Sequence, residues 1–410
     1  MVTRKRLFFG LLMRFAWTTG LIATPVAVHG QYSLPEFTLP SPPKGATAPS
    51  IDKLKVKNWV RPLHRSLVGK SRAEFALQSA GASTIPLWTG SDDNYTFQMV
   101  GQDPTVRHTN PVSSIKAQLI PVQVTFYGNQ TVVFDPTRTD ICSPNGSPLT
   151  LVQHSPIFNN VSLPSVSASL GMAQFTSLFQ RANFFKYTGP TGVNPRYEVL
   201  LTSATLPVVK ISTFFSNLPQ PRRCDPLGLI DINTLDYAII HGIIPQLATS
   251  GVGPTTLPIF LLSNVVMFDG DISNCCILGY HQSFISGTSG ALQTFVVADY
   301  DTSGIFPDAL DISPLSHEIA EWMDDPTTMN PTTSWGHVGQ VPGCQSNLEV
   351  GDPLSPTSLA GLFEIVAPHF TYHVQDLAFK SWFYGDTPSV GVNGWYSLFG
   401  TFRSAAQPCF

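Results

Sequence analysis

Between Arg223 and Lys380 the chain has no lysine and no arginine, while seventeen aspartates and glutamates fall in that span. A stretch so poor in cations cannot neutralise phosphate, so nucleic acid is excluded as a partner, and cations or basic peptides are favoured instead. Charge is scarce throughout: 12% of the 410 residues are charged, about half the roughly 25% of an ordinary soluble domain. With 43% hydrophobic residues this composition argues for a packed globular body and against disorder. No heptad or G-X-Y repeat is present, and the 31 glycines and 35 prolines predict many turns and few long helices. No C-x-x-C spacing occurs, which removes a cysteine zinc site. There is no P-loop or dinucleotide fingerprint, and Gly287-Thr288-Ser289-Gly290-Ala291 fails as G-x-S-x-G at its last position. Nucleotide and serine-hydrolase chemistry therefore lack support.

The bases sit early in the chain. Residues 1–30 carry Arg4, Lys5, Arg6 and Arg14 without an acid, followed by an apolar stretch and a small-residue exit near Val28-His29-Gly30, the pattern of a secretory signal peptide. No other segment reaches the 18 or more apolar residues of a membrane span, so a secreted or extracytoplasmic protein without membrane contact is expected after cleavage. In an oxidising compartment the six cysteines, Cys142, Cys224, Cys275, Cys276, Cys344 and Cys409, suggest up to three disulfides. The adjacent Cys275 and Cys276 are expected to reach different partners, because bridging neighbours strains the peptide between them.

Residues 31–80 read as a Pro/Ser-rich linker followed by a basic arm or pro-segment that includes Lys53, Lys55, Lys57, Arg61, Arg65, Lys70 and Arg72. Residues 81–225 read as a β-rich part, with strands over Ile120–Tyr127, Thr131–Phe134 and Tyr197–Thr202 and one amphipathic helix over Met172–Phe185. Residues 226–410 read as an acidic α+β part, with a helix over Thr234–Ile244, strands over Pro258–Phe268 and Gln293–Asp299, and a helix beginning near Pro314. The fold class is α+β, and one composite body or two domains fit this pattern equally.

The most informative segment is Ser313-Pro314-Leu315-Ser316-His317-Glu318-Ile319-Ala320-Glu321-Trp322-Met323-Asp324-Asp325-Pro326. Ser313 suits an N-cap, Pro314 the first helical position, and Pro326 stops the helix after about three turns. On such a helix His317 and Glu321 share a face, with Glu318 displaced by about 100°. Two potential metal ligands then stand beside a carboxylate that is free to act as a base. Downstream, Asn347-Leu348-Glu349-Val350-Gly351-Asp352 offers a further carboxylate pair. Asp299-Tyr300-Asp301-Thr302-Ser303-Gly304 starts like a calcium loop, but Leu310 stands where the twelfth-position Glu belongs, so the full loop fails and a looser calcium turn of Asp299, Asp301 and Asp308, or one at Asp269 and Asp271, is left open.

The His317-Glu318-x-x-Glu321 helix resembles the H-E-x-x-H helix of the zincin metallopeptidases, with Glu at the second ligand position. The E-x-x-D spacing of Glu349 and Asp352 resembles the gluzincin branch. That resemblance implies Glu349 as third ligand and Asp352 as the residue that orients the first His, while Gly351 and Pro353 leave Asp352 open as an alternative ligand. Phe126-Tyr127-Gly128, Cys276 with Gly279-Tyr280-His281, the His317 helix, Glu349–Asp352 and Val374-Gln375 together resemble the secreted EXORDIUM-like phosphate-induced proteins. These resemblances imply a zincin-like core with a mixed β-sheet packed on the metal-binding helix. The implied activity is a metal-dependent peptidase acting on peptide or protein substrates, with His317, Glu321 and Glu349 holding one divalent ion and Glu318 as general base. Zn²⁺ is the expected metal. Two carboxylates against one imidazole bring Mn²⁺ and Ca²⁺ into competition. The alternative reading is a noncatalytic extracellular wall or matrix protein with a structural cation.

Overall fold

The computed structural model describes residues 34–42, 46–47, 49–56, 84–92, 94–164, 166–215, 218–220, 224, 226–287, 289–355 and 362–410. Residues 1–30, expected to be a signal peptide, and the Lys57–Arg72 part of the expected basic arm lie outside them. From Leu34 to Phe410 the chain forms one unit. Its main sheet uses β1 (Phe37–Thr38), β2 (Val112–Tyr127), β3 (Val132–Phe134), β4 (Glu198–Thr205), β5 (Val209–Phe214) and β6 (Thr256–Ser263). Beyond the short strand β7 (Val265–Phe268), which leaves that sheet, β8 (Gly279–Ile285) and β9 (Leu292–Tyr300) complete it.

The long strand β2 holds the sheet together. It runs parallel to β4 from Val112↔Glu198 to Leu119↔Thr205, then to β5 from Val122↔Val209 to Tyr127↔Phe214. It also pairs in parallel with β6, from Thr256↔Lys116 to Leu261↔Pro121. β6 pairs in parallel with β9, and β8 closes the order as an antiparallel neighbour of β9. The sheet is therefore mixed, and the β-rich and acidic parts of the chain share it.

Alternation along these strands sends side chains to two cores. Leu119, Ile259, Leu261, Val296 and Ala298 join one cluster, and Ile120, Phe260, Leu262, Phe295 and Val297 the other. The helical stretch from Ile232 to Leu247 covers the second cluster through Ile232, Leu235, Ile239 and Ile243. On the first lie α1 (Phe175–Asn183) and α2 (Ser313–Asp324), the latter through Leu315, Ile319, Trp322 and Met323. Two hairpins finish this side: β10 (Pro331–Val338) with β11 (Val341–Asn347), and β12 (Leu362–Ala367) with β13 (Phe370–Gln375). Mixed helices and strands around a mixed sheet agree with the α+β expectation.

Three local expectations need correction. The run Pro258–Phe268 is two strands, because Asn264 takes a left-handed conformation (φ 52°) that Asn tolerates and that turns β7 out of the sheet. Ser313 lies inside α2, and its hydroxyl accepts from Leu310 N at 3.0 Å, closing the preceding turn instead of capping the helix. Cys275 and Cys276 pair with each other, since Cys142–Cys224 and Cys344–Cys409 take up the remaining four cysteines.

Candidate metal centre

All twelve residues of α2 are buried, including His317, Glu318, Glu321 and Asp324. A helix this apolar in its surroundings requires a specific partner for each ionisable side chain. Asp324 finds Gln180 Nε2 of α1 at 3.0 Å, and Trp322 Nε1 donates to Thr294 Oγ1 at 2.9 Å. The other three face a cavity of about 410 Å³, which Glu349 and Asp352 also line.

Strand pairing adds a residue. His281 stands opposite Val296 on the neighbouring strand, so its ring projects to the face that carries α2. Two glycines permit the close approach. A Cβ at Gly279 would sit 2.7 Å from Glu318 Cγ, and a Cβ at Gly351 would run into the His317 ring.

Hydrogen bonds fix the protons on both imidazoles. Gln375, at the end of β13, directs Nε2 to the Gly351 carbonyl at 2.6 Å; a carbonyl only accepts, so the amide oxygen must be the atom that faces His317. His317 Nδ1 therefore donates to Gln375 Oε1 at 3.1 Å, with Ser355 Oγ donating to the same oxygen at 2.7 Å. His317 Nε2 then points at Glu321 Oε2 (3.0 Å), Asp352 Oδ1 (3.6 Å) and Glu318 Oε1 (3.9 Å). By the same logic His281 Nε2 donates to the Asp325 carbonyl at 3.0 Å, leaving Nδ1 toward Glu318 Oε2 (3.3 Å) and Glu321 Oε2 (3.9 Å). Nitrogen lone pairs and carboxylate oxygens at these distances repel unless a proton or a metal ion lies among them.

The carboxylates are held in turn. Glu321 Oε1 accepts from Gly351 N (3.0 Å) and Asp352 N (3.2 Å), which frees Oε2 for the imidazoles. Asn347 Nδ2 donates to Glu349 Oε1 at 2.8 Å, whereas Glu349 Oε2 is buried with no hydrogen-bond partner, 3.9 Å from His281 Nε2. Gln340 and Gln345 grip the Asp352 carboxylate. Gln375, not Asp352, binds the outer nitrogen of His317, while Asp352 faces the inner one.

The electrostatics report an excess of negative charge. Burial pushes Glu349 well above the usual carboxylate range, and the charges of Glu321, Asp325, Asp352 and Glu318 add to it. Burial and the Glu321 charge raise Asp352 to about 7, against the pull of His317. Glu318 is raised, mainly by burial. His317 is pushed well above its ordinary value: burial alone would lower it, but Glu321, Glu318 and Asp352 outweigh that. Glu321 alone is lowered, since His317, His281 and the Gly351 amide more than offset its burial.

Two sets of three side chains bring their ligand atoms within metal-binding reach: His317, Glu318 and Glu321, and His281, Glu321 and Glu349. Glu321 belongs to both. The donor set of imidazole nitrogen and carboxylate oxygen suits zinc, manganese or calcium. The orphaned Glu349 oxygen and the inner nitrogens, each facing carboxylate oxygen, are the features that a dication would satisfy in place of protons. A third group, His337 with Cys344 and Cys409, is excluded as a ligand set because its two cysteines are paired in a disulfide. His317, Glu318, Glu321, Glu349 and Asp352 all line the one cavity. His281 and Gln375 complete the cluster; both belong to segments that the EXORDIUM-like resemblance picks out without giving them a place in the centre. No protein-family model, curated protein or solved structure matches this chain.

Proposed function

We propose that this chain is a secreted metal-dependent hydrolase, a peptidase with a zincin-like core, whose centre is built on His317, Glu321 and Glu349. The observation that carries the reading is the inner nitrogen of His317: Gln375 holds the Nδ1 proton, which leaves Nε2, aimed at Glu321, as the nitrogen that a metal ion can take in place of a proton. His317, Glu321 and Glu349 would hold a divalent ion there, which would supply Lewis acidity for a scissile carbonyl and for water. Glu318 carries the proton: burial raises its proton affinity, and its Oε2 faces His281 Nδ1 at 3.3 Å. It takes a proton from the attacking water and returns it to the leaving amine. His281, pinned through Nε2 to the Asp325 carbonyl, orients Glu318 through the proton shared between Nδ1 and Glu318 Oε2. A cavity rich in carboxylates favours substrates with basic side chains. Three cysteine pairs at disulfide distance fit an oxidising compartment, and no helix among the described residues is long and apolar enough to cross a membrane.

The complete burial of α2 supports a second reading, a noncatalytic wall or matrix protein in which the same side chains close around a structural ion. Glu318→Gln separates the two. In the peptidase this variant retains stoichiometric metal by elemental mass spectrometry and loses about 10²- to 10⁴-fold in peptide turnover, the usual contribution of a general base. Unchanged turnover in a metal-loaded variant would refute the role of Glu318, and loss of metal would place it among the ligands. His317→Ala, which should lose the metal outright, is the control.

A further inference from the structure

Away from the cleft, Asp299 and Asp301 occupy alternate positions at the end of β9, on the face shared with Phe295 and Val297. Each is about 1% exposed. One oxygen of each is anchored: Asp299 Oδ1 accepts from Val265 N at 3.0 Å, and Asp301 Oδ1 from Ser303 Oγ at 2.6 Å and Ser303 N at 3.3 Å. The other oxygen of each, Oδ2, is buried with no hydrogen-bond partner.

The surroundings add further oxygen and no positive charge for these two. Asp140 Oδ2 accepts from Thr302 Oγ1 (2.9 Å) and Asn264 Nδ2 (3.3 Å), and Asn264 Oδ1 accepts from Thr302 N (2.8 Å). Asp311 is already paired with His373 Nδ1 at 2.6 Å. Among the described residues every Lys or Arg ion pair lies with Asp135, Asp92 or Asp386. Burial raises both carboxyls, Asp301 to about 7, and the charge of Asp301 raises Asp299 further. Two buried carboxyl oxygens without a partner, on one face of the strand, call for protons or a cation.

We propose that Asp299 and Asp301 form a second, structural cation site specific for Ca²⁺. The two orphaned donors are both oxygen, with neither thiolate nor imidazole, which disfavours zinc. Their closed surroundings exclude the retained water shell that Mg²⁺ prefers, whereas Ca²⁺ accepts irregular cages of protein oxygen. The site is independent of the His317 centre and stands whether or not that centre is catalytic.

The test is calorimetric titration of chelator-treated full-length His317→Ala protein with Ca²⁺ through the millimolar range, with thermal unfolding alongside. The expected result is about one equivalent of Ca²⁺ bound, with a rise in Tm, both abolished by adding Asp299→Asn and Asp301→Asn. If that combination fails to fold, Asp301→Asn alone should weaken Ca²⁺ binding by about tenfold or more. The absence of a calcium equivalent, or equal binding by the Asn variants, would overturn the proposal. So would Asn variants that are more stable than a calcium-insensitive parent, which would mean that the pair is neutralised by protons.

Discussion

Replacing Gln375 by Leu tests the centre through a side chain that never touches the ion. The substitution keeps an apolar stem of similar size but removes the acceptor for His317 Nδ1 (3.1 Å) and Ser355 Oγ (2.7 Å), and the donor to Gly351 O (2.6 Å). Without that acceptor the proton is no longer confined to the outer nitrogen, and the ring can rotate or change tautomer. Partners that orient a ligating histidine typically support about 10- to 100-fold of metal affinity, or about 1.4–2.7 kcal/mol. The upper end is expected here, because Gln375 also anchors the Gly351 turn that carries Glu349 and Asp352. Competition against a chromophoric zinc chelator reads the affinity, and circular dichroism reports the fold. Ser355→Ala, which removes a hydroxyl 3.4 Å from Nδ1 but leaves the amide acceptor, should cost about threefold or less. A folded Gln375→Leu protein with affinity within about twofold of the parent would refute the argument that Gln375 prepares His317 for a metal.

Two further outcomes follow from close packing and from burial. Gly351→Ala drives a methyl group into the His317 ring; overpacking of this kind costs about 1–3 kcal/mol, and both metal content and Tm should fall, whereas an unaffected variant would mean that the turn is loosely held. Asp324, raised to about 7 by burial with Asp325 and Glu321 contributing, stabilises the fold in its protonated form. That stability is complete at acid pH below the unfolded carboxyl value and is lost as pH rises through about 7, a few kcal/mol in all. Urea titrations of Asp324→Asn from pH 5 to 8 should show a flatter profile than the parent and a gain at pH 8; parallel profiles would contradict the assignment.

The helix of the centre was readable because everything it needs is local. A proline near the start, a proline stop and a four-residue spacing define α2 and put His317 and Glu321 on one face. Glu349 and Asp352 were legible as a pair within one short loop. His281 and Gln375 stand out only as pieces of the EXORDIUM-like resemblance, and their place in the centre is not legible, because they reach it through strand pairing: His281 through its register opposite Val296, Gln375 at the far end of a hairpin that α2 packs against. The break at Asn264 escaped notice for a similar reason. Its left-handed turn is held by Thr302, thirty-eight positions away, whose backbone N–H donates to the Asn264 side chain. Cysteine pairing depended on which four cysteines the fold brings together, which spacing does not encode.

His281, His317, Glu318, Glu321, Glu349, Asp352 and Gln375 all lie between Arg223 and Lys380, the span without a basic residue. Trypsin, which cuts after lysine and arginine, has no cleavage point between any two of them. Digestion would release the whole centre as one long peptide, Cys224–Lys380, tied by Cys142–Cys224 to an upstream fragment and by Cys344–Cys409 to the last one. Under non-reducing conditions these three pieces would travel together, and reduction would separate them. A protein of this build can therefore be cut at its lysines and arginines by trypsin-like enzymes in its surroundings while its ligand cluster stays on a single uncut chain.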